Sequence, residues 1–314
     1  MDLQTSVRQR PKKEVKSDIY CRYYQIADIT IKVESDLPMS DDIFNKKFDR
    51  FRVDGPGLDT VCIRHHFYFQ EFEGKNLGEQ VYSRPPWKIF KKGHSWIYLG
   101  NSRDQNTKQL DKVMVFNDDY SKAFVFNKKD DIAIKRDCHS LFLLPTDQVL
   151  IARLLADRQG FYIHSCGMIM DNQGILFVGN TGTGKSYMGS ILKNDAELLC
   201  DDRIIVRKRD DGFRIYGTWS YGDLPDVSSN SAPLRMVVFL EPSTENRLIP
   251  MTNSKEIRLR LLECLVKPLE TADWWDKMLD LTTQLAGEIP SYILQFDQSG
   301  DAANIIRKSI HAVN

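Results

Sequence analysis

The residues best suited to chemistry lie together at Gly179-Asn180-Thr181-Gly182-Thr183-Gly184-Lys185-Ser186. This is the spacing G-x-x-x-x-G-K-[ST], in which glycines let successive backbone N–H groups curl around an anion while the following helix adds its positive N-terminal end. In such a loop Lys185 reaches the β- and γ-phosphates of ATP, and the Ser186 hydroxyl ligates Mg²⁺. An apolar run, Ile175-Leu176-Phe177-Val178, enters the loop, and Tyr187 to Lys193 leaves it with a helix-like pattern. Strand, glycine loop and helix is the context that this motif requires.

Sixteen residues beyond Lys185 come Asp201 and Asp202. That distance holds one helix and one strand, which predicts an acidic pair at the tip of a strand beside the loop. One carboxylate there can hold Mg²⁺, directly or through water, and the other can take a proton from an attacking hydroxyl. The residues alone leave open which does which. His164 lies in Tyr162-Ile163-His164-Ser165-Cys166. If Asp171 to Gly174 is a tight turn, this strand runs antiparallel to the one entering the loop. His164 then falls within a strand's width of the site, where a neutral imidazole can orient an aspartate or a phosphate. Glu241, at the end of a strand from Met236 to Leu240, is a weaker candidate for the same site. His65 and His66 are expected on opposite faces of one strand, which argues against a shared metal. Trp274 and Trp275 read as helix packing residues, and Lys88-Ile89-Phe90-Lys91-Lys92 as a solvated edge that discourages sheet pairing.

The elements that must position these groups fall into two textures. Residues 1–17 read as a frayed basic tail. Residues 18–145 read as a sheet-rich domain, with strands at Ile19 to Tyr24, Ile29 to Val33, Thr60 to Phe69, Trp96 to Leu99, Val113 to Phe116 and Lys122 to Phe126. Residues 146–314 read as the domain that carries the loop. It opens with an amphipathic helix through Val149 to Leu155 that stops at Gly160, followed by a strand from Phe161 to Met170. Further strands are expected at Glu197 to Cys200, Ile204 to Lys208, Phe213 to Tyr216 and Tyr292 to Phe296, with helices at Lys255 to Val266 and Asp273 to Leu285 and a short one closing the chain. The fold class that follows is α/β, an α+β mixed sheet.

A chain of 314 residues with 42% hydrophobic and 27% charged residues has ample core for two domains. Its 43 basic and 43 acidic residues balance, so no global field favours nucleic acid or an anionic membrane. The absence of a long apolar stretch or a signal-like start predicts a cytoplasmic protein. Six scattered cysteines without C-x-x-C pairs suit reduced thiols rather than zinc.

The order of features resembles the catalytic domain of the HPr kinase/phosphorylase family, which shares a nucleotide-binding fold with phosphoenolpyruvate carboxykinases. The resemblance runs over about residues 145 to 245, through His164-Ser165-Cys166-Gly167, the phosphate loop, the Asp201-Asp202 pair and the hairpin after it. Gly217-Thr218-Trp219 and Ser231-Ala232-Pro233-Leu234 are similar to segments of divergent HPr-kinase-like proteins, some of which phosphorylate serine in peptides. The resemblance implies a P-loop kinase domain and makes Asp201 the base for the acceptor hydroxyl. It makes Asp202 a metal or metal-water ligand, places His164 beside Asp201, and implies a homo-oligomer. No Glu-Ile-Arg-Gly-type segment follows the aspartates, and a serine follows His164 where the family has glycine, so HPr as substrate does not follow. The expected function is an ATP- and Mg²⁺-dependent kinase acting on a hydroxyl, with serine of a peptide or protein as partner. A small-molecule kinase and a nucleotide-binding regulatory module without transfer are the alternatives.

Overall fold

The computed structural model describes residues 7–9, 19–72, 76–101, 110–128, 137–143, 147–269 and 273–312. Two compact units divide the chain, Met1–Asp147 and Gln148–Asn314. Each contains one large mixed sheet, so the fold is mixed α/β with parallel and antiparallel pairings in both halves.

The first unit is built from β1 (Val7–Gln9), β2 (Tyr20–Ile26), β3 (Ile29–Ser35), β4 (Arg52–Val53), β5 (Thr60–Phe67), β6 (Phe69–Phe72), β7 (Glu79–Arg84), β8 (Trp87–Lys92), β9 (Ser95–Asn101), β10 (Leu110–Asn117) and β11 (Lys122–Asn127). Nine of these form one sheet in the order β4-β2-β3-β5-β11-β10-β9-β8-β7. Strand β5 alternates between inward and half-buried residues, so Val61, Ile63, His65 and Phe67 face the core and His66 lies on the other face. Three expectations need correction. Val7–Gln9, inside the stretch read as a frayed tail, pairs with Phe69–Phe72, while the rest of residues 1–17 lies outside the described residues. The strand read as Thr60 to Phe69 breaks at Tyr68, whose φ of 59° ends the extended run and starts β6. The Lys88 to Lys92 segment is not an edge: β8 pairs on both sides, with β7 and β9, because Ile89 is fully buried while Lys91 lies 4.0 Å from the Trp96 ring centroid.

The second unit contains α1 (Gln148–Ala156), β12 (Gly160–Met170), β13 (Gln173–Val178), α2 (Lys185–Leu192), β14 (Glu197–Cys200), β15 (Arg203–Arg209), β16 (Gly212–Tyr216), β17 (Ser231–Pro242), β18 (Arg247–Met251), α3 (Ser254–Glu263), α4 (Trp274–Glu288), β19 (Ser291–Phe296) and α5 (Ala302–Ala312). Asp171 and Asn172, at φ 50° and 61°, make the tight turn between β12 and β13. These two-residue left-handed geometries match the twist of a hairpin. Strand β12 pairs along one side with β13 and along the other with β14 and then β15. Strand β15 pairs with β16, β16 with β17, and β17 returns to β13 in parallel register, Val178 opposite Phe239. These pairings close a ring of strands around Phe161, Ile163, Leu176, Val178, Ile204 and Val206, all within 1% of full burial.

Helix α2 packs by Met188 and Leu192, both fully buried. Burial of two such side chains contributes about 1.5–3 kcal/mol each, which outweighs the roughly 1 kcal/mol that Gly189 costs inside the helix. Gly189 is packed closely in turn, for a Cβ there would lie 3.1 Å from Leu224 Cδ1. The helix expected through Val266 stops at Glu263, and the chain beyond it supplies backbone to β12: His164 N–H donates to the Cys264 carbonyl at 2.8 Å and Val266 N–H to the Tyr162 carbonyl at 2.8 Å. Among the described residues no helix is long and apolar enough to cross a membrane.

Candidate active site

Strand β13 ends at Val178 and α2 begins at Lys185, so the glycine motif is the loop between them. Gly182 and Gly184 adopt φ of 85° and 97°, in the left-handed region that side chains disfavour. The Thr183 N–H and hydroxyl both reach the Asn180 carbonyl, at 3.3 and 2.8 Å. Lys185 is buried and its Nζ donates to the same carbonyl at 2.9 Å, which holds the ammonium against the loop's own backbone. Asn180 Oδ1 accepts from the Cys264 thiol at 3.8 Å.

The aspartate pair fills the step between β14 and β15 along the flank of β12. Gly167 pairs with Cys200 just before it and His164 with Arg203 just after it. In the hairpin Ser165 pairs with Val178, so His164 lies one residue beyond the last pair, level with the start of the loop. The register therefore brings Lys185, Ser186, Asp201, Asp202 and His164 into one region, as sequence spacing alone indicates.

The two carboxylates occupy different surroundings. Asp201 is 1% exposed. Its Oδ2 accepts from the Ser186 hydroxyl at 2.8 Å and from the Asp223 and Leu224 N–H groups at 2.9 and 3.0 Å, and its Oδ1 from Gly222 N–H at 2.7 Å. Asp202 is 25% exposed; its Oδ2 accepts from Arg203 Nη1 at 2.5 Å and its Oδ1 lies 3.7 Å from His164 Nδ1. Burial alone would raise the Asp202 carboxyl, but His164, Arg203 and Lys185 outweigh it and hold the group below the usual carboxylate range. His164 thus faces Asp202 and not Asp201, which corrects the neighbour implied by the family resemblance. The reason is local: consecutive residues point to opposite sides, Asp201 toward α2 and Asp202 toward β12.

The other candidates have partners of their own. Glu241 is engaged by Arg260 at 2.8 Å, and Arg260 also bonds Glu256 at 3.2 Å. His65 accepts and donates within the first unit, at Asn127 and the Leu141 carbonyl. His66 lies 3.4 Å from Asp36. Trp274 is buried, while Trp275 is 36% exposed and packs edge-on against it at 4.9 Å. No disulfide joins the cysteines; Cys166, Cys200 and Cys264 are buried and Cys21 is exposed. Burial pushes the Cys200 thiol up to about 11, so it is a neutral donor to the Ser220 carbonyl at 2.9 Å.

Sequence reading missed the groups that complete the site. Arg203 follows the pair directly and was legible in principle as a charge beside two carboxylates. The Gly222 to Leu224 amides were not, since backbone donors carry no residue signature. They belong to the long connection between β16 and β17, which is anchored by buried Trp219 and by the Thr218 hydroxyl on the Arg203 carbonyl at 2.6 Å.

The donor set can serve a magnesium nucleotide. Ser186 Oγ and Asp201 Oδ2 are hard oxygens held 2.8 Å apart at the start of α2, a donor type that suits Mg²⁺, and Lys185 beside them carries the charge that suits phosphate oxygens. Among known proteins, the family model described as "SynChlorMet cassette protein ScmC" matches residues 134–311. No curated protein matches the sequence. Among solved structures, the Hpr(Ser) kinase/phosphatase from Coxiella burnetii is similar at a TM-score of 0.31 and 11% identity, over 48% of this chain and 88% of that one. At that distance the likeness decides nothing about the site.

Proposed function

We propose, starting from a chain that belongs to the SynChlorMet cassette protein ScmC family, that it is an ATP- and Mg²⁺-dependent kinase whose acceptor is a hydroxyl, serine of a peptide or protein. One observation carries the reading: a glycine loop of phosphate-binding sequence shares its Ser186 with buried Asp201, while the next residue, Asp202, faces outward beside His164 and Arg203. Serine as acceptor rests on the resemblance of residues 145 to 245 to HPr-kinase-like proteins.

Magnesium-ATP, when bound, supplies the transferable phosphoryl group. The residues around it divide the remaining work. Lys185 leaves the Asn180 carbonyl for phosphate oxygens, and the loop amides hold them. Ser186 and Asp201 form the metal-holding side. Asp202 accepts the proton of the acceptor hydroxyl, and Arg203 with His164 keeps its carboxylate ionised and oriented. This exchanges the roles that the resemblance implies for the two aspartates. Access favours the exchange: Asp201 already takes four donors and is almost fully buried, whereas a base must meet an incoming hydroxyl within about 2.6–3.2 Å.

The test is phosphate transfer from labelled ATP with Mg²⁺ to a pool of serine peptides and to a metabolite extract, with products read by mass spectrometry. Wild type is expected to yield phosphoserine. Asp202→Asn is expected to keep nucleotide binding and lose at least ~10²-fold in transfer, the scale of a positioned base. Asp201→Asn is expected to weaken metal-nucleotide binding and lower the thermal midpoint. Wild-type transfer by Asp202→Asn would return the base to Asp201. A phosphorylated metabolite would make this a small-molecule kinase, and ATP binding with no product would favour the regulatory module.

A further inference from the structure

Beside the phosphate loop is a cavity of about 560 Å³ that none of the groups discussed so far explains. Two loop glycines, Gly182 and Gly184, form part of its wall. Its apolar side is Tyr187 and Phe296, whose rings lie nearly parallel at 13° with centroids 6.0 Å apart. The rest comes from two segments, Pro242 at the end of β17 with the polar Ser243 and Thr244, and Asp297 with Gln298 after β19. Those segments are joined where Ser243 N–H donates to the Phe296 carbonyl at 2.8 Å. Neither aspartate of the site, nor His164 or Arg203, borders this cavity.

The wall is built rather than incidental. Phe296 is 5% exposed and sits so close to the loop that a Cβ on Gly184 would lie 2.6 Å from its ring. Asp297 Oδ1 accepts from Asn246 Nδ2 at 2.8 Å and from Ser299 N–H and Oγ at 2.9 and 2.5 Å. Hydrogen bonds from Ser299 and Asn246 hold its carboxyl below the usual range, so Asp297 presents an acceptor-only group near neutral pH.

We propose that this cavity takes the nucleoside part of the nucleotide: the flat base against the Tyr187–Phe296 side, and the sugar hydroxyls toward the Asp297 side. The inference rests on the reading of the loop as a phosphate site. A triphosphate held by the loop amides leaves its nucleoside to lie against whatever borders the loop away from the acceptor. This cavity borders it, is within the size range of small-molecule pockets, and combines an apolar face with a few fixed polar groups.

The experiment is calorimetric titration of the full chain with Mg²⁺-ATP and, separately, with Mg²⁺-tripolyphosphate, which has the anionic oxygens and no nucleoside. Wild type is expected to bind ATP at least ~10-fold more tightly than tripolyphosphate. Thr244→Trp and Gln298→Trp place a large ring at exposed positions of the cavity lining. Each is expected to bring ATP down to the affinity of tripolyphosphate while leaving tripolyphosphate binding and the thermal midpoint unchanged. Equal binding of the two ligands by wild type, or plugged variants that keep the preference for ATP, overturns the cavity assignment and leaves the loop reading standing. Failure of the loop reading is separate: tripolyphosphate then binds Lys185→Ala as well as wild type, or neither protein binds it.

Discussion

Adjacent carboxylates in one sequence can have unlike chemistry when the backbone turns them apart. Asp201 is enclosed by amides and a hydroxyl, and Asp202 by two basic side chains and solvent. The presence of an acidic pair near the loop was legible from spacing, as were Lys185, Ser186 and His164. The unlike surroundings of the two aspartates were not, because they depend on the Gly222, Asp223 and Leu224 N–H groups some twenty positions downstream. The charge beside Asp202 has a consequence for pH. Its folded carboxyl is depressed, so the proposed proton-accepting role would persist as pH falls until the group titrates. Removing Arg203 raises that titration. The acid limb of the rate–pH profile for Arg203→Gln is therefore expected at higher pH than in wild type, with the alkaline limb unmoved. An acid limb that stays in place would remove Asp202 as the titrating base.

Strands with clear alternation, such as β5, were legible as elements, and so were the hairpin around Asp171 and the helix after the loop. Strands β7 and β18 were missed, and β8 was read as a solvated edge, for identifiable reasons. Glu79–Arg84 is largely exposed and shows no apolar face, Trp87–Lys92 carries three lysines, and Arg247–Met251 contains Pro250, which a sheet tolerates at its edge. One strand residue carries a stability prediction. His65 is fully buried with Nε2 2.9 Å from the Leu141 carbonyl, which can only accept, so Nε2 bears the proton and Nδ1 faces Asn127. Burial, helped by nearby Lys112, pushes its pKa down to about 3. A depressed imidazole is protonated more readily in the unfolded chain, whose ordinary value is about 6.5. Stability from this site is thus present above that value and declines as pH falls toward 3. The thermal midpoint of the first unit should drop across this window, and His65→Gln, though less stable overall, should show a shallower slope than wild type.

At the scale of the molecule, the chain is two units with separate large sheets, and the family match at residues 134–311 falls almost wholly on the second. The texture change near Pro145 was visible in the sequence. The ring of strands was not, since its closing contact pairs Gly174 to Val178 with Leu234 to Phe239 across about sixty residues of chain. Separate sheets lead to a calorimetric expectation. Two unfolding transitions should be resolved, and Mg²⁺-ATP should raise only the one belonging to Gln148–Asn314. A ligand at a hundred times its Kd stabilises its unit by about 2.7 kcal/mol. A uniform shift of both transitions would show that the nucleotide engages the first unit too.

The closed circuit of β12, β13, β15, β16 and β17 also bears on how the site moves in time. A ring has no outer strand from which to unzip, so its amides can meet solvent only when several ladders part together. The slowest hydrogen–deuterium exchange in the second unit is therefore expected in the strands that flank the aspartates. The loop amides at 179–184 and the Gly222 to Leu224 turn, outside the ring, are expected to exchange faster. On the proposed reading, the motions that admit a nucleotide are expected at the rim, with the floor on which the carboxylates stand keeping its register.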